Sequence, residues 1–373
     1  MKRTVALLVT AFALIFLCPS AAADEELDSI TDEINSRLDS IMDDDTKDFF
    51  DEQGISADDT DTLTDLDQRS IFKKLYDMFI NALKTPIAVL GKILAISVIY
   101  AALKSMRTDA GSLDSVFGTV CVLSVITVIS GTVSVCFEQL KSSIESINRF
   151  MISYIPILSS VTAAGGYAVT AGSYSASTVL ICETAAFVSS KILIPFMSAV
   201  TAVTVVSAVD HNLKFAGAAD SVKRLVTWLL ATVTLIFVGL MSLKGITAAS
   251  ADSLTAKTLR FAASSFIPVI GGSVSDAFLA VKGSMGVIRS TTGAIGIIAV
   301  CIIAARPFIM LLAMKLVLWA GRISNDLMGL RETAELLRNM NSILSIGLSI
   351  LITFTAAFIV STASVLRIAL GGA

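Results

Sequence analysis

Six runs of apolar residues, each near the length needed to cross a bilayer, leave this chain few folds to choose from. They occupy residues 86–103, 116–137, 192–209, 225–243, 302–320 and 343–365. A hydrocarbon core of about 30 Å takes roughly 20 helical residues to cross. In that medium every backbone N–H and C=O must be satisfied internally, so such runs form helices or closed barrels. Runs of this length that lack period-two alternation are helical. The expected fold is therefore an all-α polytopic membrane protein. Composition agrees: 54% of the 373 residues are hydrophobic and 16% are charged, against about 25% charged in soluble domains, and the mean hydropathy is +0.80.

The charges are segregated. Of the 31 acidic residues, 18 lie between Asp24 and Asp67, where Arg37 and Lys47 are the only bases. The remainder is net basic, so an acidic appendage precedes a basic membrane body. Ahead of it, Lys2 and Arg3, an apolar stretch over 5–17 and Ala21-Ala22-Ala23 read as a signal peptide with a small-x-small cleavage site at Ala21 and Ala23. An uncleaved signal anchor is the competing reading. Cys121, Cys136, Cys182 and Cys301 lie in apolar segments without C-x-x-C spacing and read as small buried hydrophobes.

Leu27, Ile30, Ile34, Leu38 and Ile41 recur every three to four residues, as on one helix face. Beyond them, 43–67 is acidic, poor in aromatics and expected to be mobile. Residues 69–84 are amphipathic, with Ile71, Phe72, Leu75, Met78, Phe79 and Leu83 opposite Lys73, Lys74, Asp77 and Lys84. Placed just before a span, they fit an interfacial helix or a helix packed on its own domain.

Two softer regions, 151–190 and 262–300, are rich in Gly, Ser, Ala and Thr and could each hold two short helices or a re-entrant hairpin. They also carry an internal repeat. Ile155-Pro156-Ile157-Leu158 is echoed by Ile267-Pro268-Val269-Ile270, and Pro195-Phe196-Met197 by Pro307-Phe308-Ile309-Met310. Pro156 and Pro268 stand 112 residues apart, as do Pro195 and Pro307. The same offset lays 116–137 onto 228–249. Duplication explains this better than coincidence, and an even number of crossings per unit makes the repeats parallel. The expected organisation is a signal peptide (1–23), an acidic extracytoplasmic segment with amphipathic helices (24–84), and a first transmembrane helix with its inner loop (85–115). Membrane repeats then cover 116–224 and 225–338, and a final helix and tail cover 339–373. Gly165-Gly166 and Gly271-Gly272, following the Ile-Pro motifs, are expected with the four prolines to break the helices into hairpins.

Topology follows from charge. An exported N-terminal segment puts Lys104, Arg107, Lys214, Lys223, Arg224, Arg322, Arg331 and Arg338 on the inner side, as the excess of inner Lys and Arg in membrane proteins requires. Lys244, Lys257 and Arg260 fall outside and disagree.

Catalytic signatures are missing from the sequence: no phosphate-binding G-x-x-x-x-G-K-[ST] loop, no G-x-S-x-G elbow and no H-E-x-x-H. No enzyme activity, cofactor or nucleic-acid partner is expected. His211, the single histidine, reads as a surface residue beside Asp210. Asp43-Asp44-Asp45 lacks the glycine and terminal glutamate of a calcium loop. Ionisable residues at membrane depth carry more weight, since burying charge in lipid is costly. Glu183, Asp276 (with Lys282 and Arg289 nearby), Arg306 and Lys315 are the candidates for lining a polar cavity or a subunit interface; shallow hairpins with snorkelling cations are the alternative.

Taken together, the signal, an acidic external segment of some sixty residues and a long bundle carrying Arg149-Phe150, Tyr154-Ile155-Pro156-Ile157-Leu158 and Ile267-Pro268-Val269-Ile270-Gly271-Gly272 resemble the stage III sporulation protein AE family. The resemblance covers essentially the whole chain and rests on layout more than on any one motif. It implies a mother-cell protein of endospore formers, acting in a secretion-like channel complex between mother cell and forespore. Its implied partners are other stage III sporulation membrane subunits, a separate cytosolic secretion-type ATPase and intermembrane ring proteins; a homo-oligomer is compatible with it. The family offers no agreed catalytic or ligand residues to carry over. A self-sufficient secondary transporter with duplicated repeats and a non-conducting scaffold are the rival readings.

Overall fold

The computed structural model describes residues 20–42, 44–53, 68–106, 112–188, 191, 194–209 and 271–370, with scattered helical positions between 221 and 258. Every regular element among them is an α-helix: α1 (Ser20–Ile41), α2 (Asp44–Gln53), α3 (Gln68–Ser105), α4 (Ser112–Ala164), α5 (Ala168–Phe187), α6 (Ile194–Val209), α7 (Gly271–Leu327) and α8 (Arg331–Leu370). Four of these contain stretches long and apolar enough to cross a membrane: Tyr76–Ser105, Val116–Ala164, Met285–Leu327 and Arg331–Leu366. The chain is thus an all-helical membrane protein, as its apolar runs required.

The core is a seam between long helices. On α4, Leu140, Ile144, Ile147, Met151, Tyr154 and Leu158 are buried at alternating steps of four and three. On α8, Leu337, Met340, Leu344, Leu351, Phe354, Phe358 and Val365 keep the same rhythm, with Gly347 filling the step between 344 and 351. A 3.5-residue period holds one stripe against a partner helix over many turns. Large apolar side chains on the other faces, such as Ile87, Ile99, Val116, Val120, Leu316 and Trp319, point outward, as lipid-facing positions do.

In lipid the hydrophobic effect does not draw helices together, so close packing and interhelical hydrogen bonds must. Tyr154 illustrates both. Its ring lies against Gly296 of α7, where a Cβ would overlap it, and its hydroxyl donates to the Thr292 carbonyl at 2.8 Å. Thr178 of α5 and Ser361 of α8 share a buried hydrogen bond of 2.6 Å, and Ser97 of α3 donates to Asn325 of α7 at 2.7 Å. Such bonds contribute about 0.6 kcal/mol each on average.

Two helix ends share one device. At the end of α4, Gly166 N–H donates to Ala163 and Tyr167 N–H to Thr162; after α7, Gly329 N–H donates to Asp326 and Leu330 N–H to Asn325. Gly166 and Gly329 have φ of 82° and 71°. That left-handed residue with its paired 5→2 and 6→1 bonds is the Schellman ending, which reverses the chain and satisfies otherwise orphaned carbonyls.

Several expectations need correction. Pro156 does not break a helix: α4 runs through it for 53 residues, and the turn comes at Gly165-Gly166. Pro307 likewise lies inside the 57-residue α7, and Pro86 inside α3. A proline removes one helical hydrogen bond, but neighbouring helices and local adjustment let membrane helices absorb that. Pro195 is the second residue of α6, in the first turn, where a missing N–H is harmless. Pro268 lies outside the described residues. Gly271 and Gly272 open α7 and form no hairpin turn. The stretches that the 112-residue offset aligns therefore differ: the first turns at Gly165–Tyr167, whereas the second is continuous within α7.

Residues 69–84 are not a separate interfacial helix but continue into the first span as α3. Nor is the acidic segment mobile throughout. Residues 44–53 form α2, whose Phe49 and Phe50 join Ile34, Leu38 and Met42 of α1 in the main hydrophobic cluster. The expected span at 192–209 appears as the 16-residue α6, about 24 Å at 1.5 Å per residue, shorter than a bilayer core. Residues 1–19, with most of the expected signal, lie outside the described residues. Ala21 and Ala23 belong to the first turn of α1.

Candidate functional site

Apolar stretches as long as Val116–Ala164, 49 residues, reach about 74 Å at 1.5 Å per residue, more than twice a hydrocarbon core of about 30 Å. The polar residues of α4 mark where it changes character. Glu138, Gln139, Lys141, Ser142, Ser143, Glu145, Ser146 and Arg149 occupy its middle, and Lys141 pairs with Glu145 at 3.8 Å. Arg306 is at the middle of the apolar stretch of α7. The two midpoints meet, because Gln139 and Arg306 line the same cavities.

The larger cavity has a volume of about 1040 Å³ and opens between four helices. Met78, Asn81, Ala82, Thr85 and Pro86 of α3 form one wall, and Gly131, Thr132, Val135, Cys136 and Gln139 of α4 a second. Ile297, Ile298, Cys301, Ile302, Ala305, Arg306, Ile309 and Met310 of α7 line a third, and α2 closes it with Asp48, Phe49 and Glu52. Its interior is mostly apolar, and its charges are Arg306, Asp48 and Glu52. A smaller cavity of about 180 Å³ adjoins it, sharing Gln139, Ile302 and Arg306 and adding Ser142, Ser143, Ser146, Ile303 and Pro307. Arg306 thus stands at the junction of an apolar chamber and a hydroxyl-lined niche. Ligand pockets commonly enclose roughly 300–1,000 Å³ with few polar groups, and the larger chamber is of that kind.

A second polar centre lies at the start of α5. Asp252, 3% exposed, accepts the Val169 and Thr170 backbone N–H groups at 2.9 Å each and the Thr170 hydroxyl at 2.6 Å. It caps the helix from a distant segment, as an N-cap residue does locally, and its charge suits the positive helix terminus. Arg289 of α7, 1% exposed, lies over the Tyr167 ring with its guanidinium carbon 4.4 Å from the centroid. Arg289 and Asp252 attract each other across this site. A buried cation held by an aromatic face and a nearby carboxylate fastens the α4–α5 turn to α7 and to the 250–255 segment.

The other expected residues fall differently. Glu183 is exposed and lines neither of these two cavities. The buried positions of α5 are Thr170, Ala171, Tyr174, Ser177, Thr178, Ile181, Cys182 and Ala185, and helical geometry turns residue 183 to the opposite side. Asp276 lies in the second turn of α7, and its side chain lies outside what the structure describes. Lys315 is half-buried within α7, away from both cavities. Arg306 is the candidate that lines the two described cavities. Asp252 escaped the sequence reading because a lone acid between Ala251 and Ser253 carries no helical signal; its hydrogen-bond partners lie more than 80 residues away. Among the described residues no three His, Cys, Asp or Glu side chains converge as a metal-ligand set.

Comparison with known proteins completes the picture. The chain is 26% identical over 183 residues to the stage III sporulation protein AE of Bacillus subtilis (strain 168), a stretch that covers 49% of this chain and 46% of that protein. The aligned part thus spans about half the length of that curated relative. No solved structure matches. The sequence model of stage III sporulation protein AE matches residues 57–369, from the end of the acidic segment through nearly all of α8. By that match, which takes in the seam, the Asp252–Arg289 centre and every cavity wall except that of α2, the chain belongs to the stage III sporulation protein AE family.

Proposed function

We propose that this protein is a membrane core subunit of a channel complex joining mother cell and forespore during spore development, set in the outer forespore membrane with its N-terminal acidic segment on the extracytoplasmic side. The observation that carries the reading is family membership over residues 57–369 on a bundle with four membrane-length helices. The chain's lack of a phosphate-binding loop suits a subunit driven by a separate cytosolic ATPase, and α1 and α2 offer an acidic surface to ring proteins between the membranes. Other stage III sporulation subunits are its expected neighbours.

Where a path would run follows from packing. The interface of α4, α7 and α8 is filled by side chains such as Leu140, Met314, Leu318 and Leu344 that are fully buried. This favours a path between subunits over one through the centre of a single chain. Glu183, exposed on α5 beside Leu180 and Phe187, is placed to face such a path. Chromosomal deletion tests the reading. Normal vegetative growth, loss of heat-resistant spores and a silent late forespore reporter after engulfment are expected; normal spores would overturn it. Glu183→Gln and Glu183→Leu should each reduce sporulation, and full sporulation of both would remove this position from the path.

A further inference from the structure

We propose that the cavity between α2, α3, α4 and α7 is a site for one phospholipid with an amine-bearing zwitterionic headgroup, its phosphate held by Arg306. Three observations converge on this occupant. The chamber of about 1040 Å³ is walled by Ile297, Ile298, Ile302, Ile309 and Met310, a surface for acyl chains. Arg306 stands where the chamber meets a niche lined by the hydroxyls of Ser142, Ser143 and Ser146. A guanidinium with adjacent hydroxyl donors matches the planar, multiply accepting oxygens of a phosphodiester. Lastly, Asp48 and Glu52 enter the same chamber from α2. Carboxylates there would repel a purely anionic headgroup but would attract an ammonium group.

The location agrees with a lipid origin. Arg306 and the polar middle of α4 lie at one level, with outward-facing apolar side chains on α3 and on the first half of α4. A headgroup belongs at such a boundary, between an apolar band and polar residues. Acyl chains gain little from leaving one apolar medium for another, so retention through mild detergent washing rests on close packing in the chamber and on the headgroup contacts at Arg306. The lipid would seat α2 on the bundle and couple the acidic segment to the membrane body.

The full-length protein, purified in mild detergent from membranes containing phosphatidylethanolamine and phosphatidylglycerol, is extracted and its lipid quantified per chain by mass spectrometry. Wild-type protein is expected to retain phosphatidylethanolamine in preference to phosphatidylglycerol. Arg306→Gln should lower that retention roughly tenfold or more, the scale of losing a charge-assisted hydrogen bond. Gly131→Phe is the second variant. A Cβ there meets nothing within 4 Å and Gly131 lines the chamber, so the ring is expected to occupy the chamber and exclude the lipid while the protein keeps its Tm. Equal retention in wild type and both variants, preferential retention of phosphatidylglycerol, or a co-purifying peptide in place of lipid would each overturn the proposal. None of these outcomes depends on the channel reading.

Discussion

At the scale of single residues, the most consequential position is Asp252. Replacing it by Ala removes three hydrogen bonds at the start of α5 and leaves Arg289 buried beside an aromatic ring alone. Cap loss accounts for about 1 kcal/mol, and the buried Arg289 loses the attraction of that carboxylate. Asp252→Ala should therefore lower the Tm markedly in a detergent melt. The double variant Asp252→Ala with Arg289→Met should recover part of the loss, because it removes the stranded cation. A double variant no better than Asp252→Ala alone would show that the two charges act independently. The sequence offered Arg289 only as one of several cations in a soft region. Its partner could not be read, since the carboxylate reaches it through folding and not through spacing.

At the scale of elements, the first glycine pair does alone the turning expected of glycines and prolines together. Gly166, at φ 82°, is what turns α4 into α5. A Cβ in the left-handed region costs roughly 1–2 kcal/mol, so Gly166→Ala should lower the Tm by that equivalent; an unchanged melt would mean the turn is not held there. Pro156, solvent- or lipid-facing within α4, interrupts a ladder that stays helical on both sides. Pro156→Ala should therefore leave the fold intact and raise the Tm, since an interior helical proline is unfavourable by about 3 kcal/mol. A lowered Tm would restore the kink to the list of features the fold needs. Helix existence was legible in the apolar runs. Helix ends were not, because proline's local preference is set aside once a long seam of Leu, Ile and Phe holds both flanks in register.

At the scale of the whole molecule, the acidic segment is the test of orientation. In a cysteine-free background, single cysteines near Asp44 should react with an impermeant thiol reagent from outside, and ones near Lys214 should not. The reverse pattern would invert the topology inferred from the basic loops. Packing adds a second expectation. Since Phe49 and Phe50 lie in the main cluster, replacing both by Ser should detach α2 and expose it to protease without unfolding the membrane helices; continued protection would place its anchorage elsewhere.

The sequence by itself determined the class of this protein. Apolar runs of bilayer length dictate membrane helices wherever they occur, because an unpaired backbone group in hydrocarbon is too unfavourable to allow anything else. The same residues carried the family resemblance, and the segregated charges carried the expected orientation. Tertiary structure decided which helices run on without a break, which polar residues meet, and which face each charge occupies. Arg306 and Glu183 look alike in sequence, one charge each in an apolar stretch. Only packing turns the first into the junction of two cavities and the second outward. Those outcomes depend on bringing together residues far apart in the chain, such as Gln139 and Arg306 around the same cavities and Tyr154 against Gly296, and no local pattern encodes them.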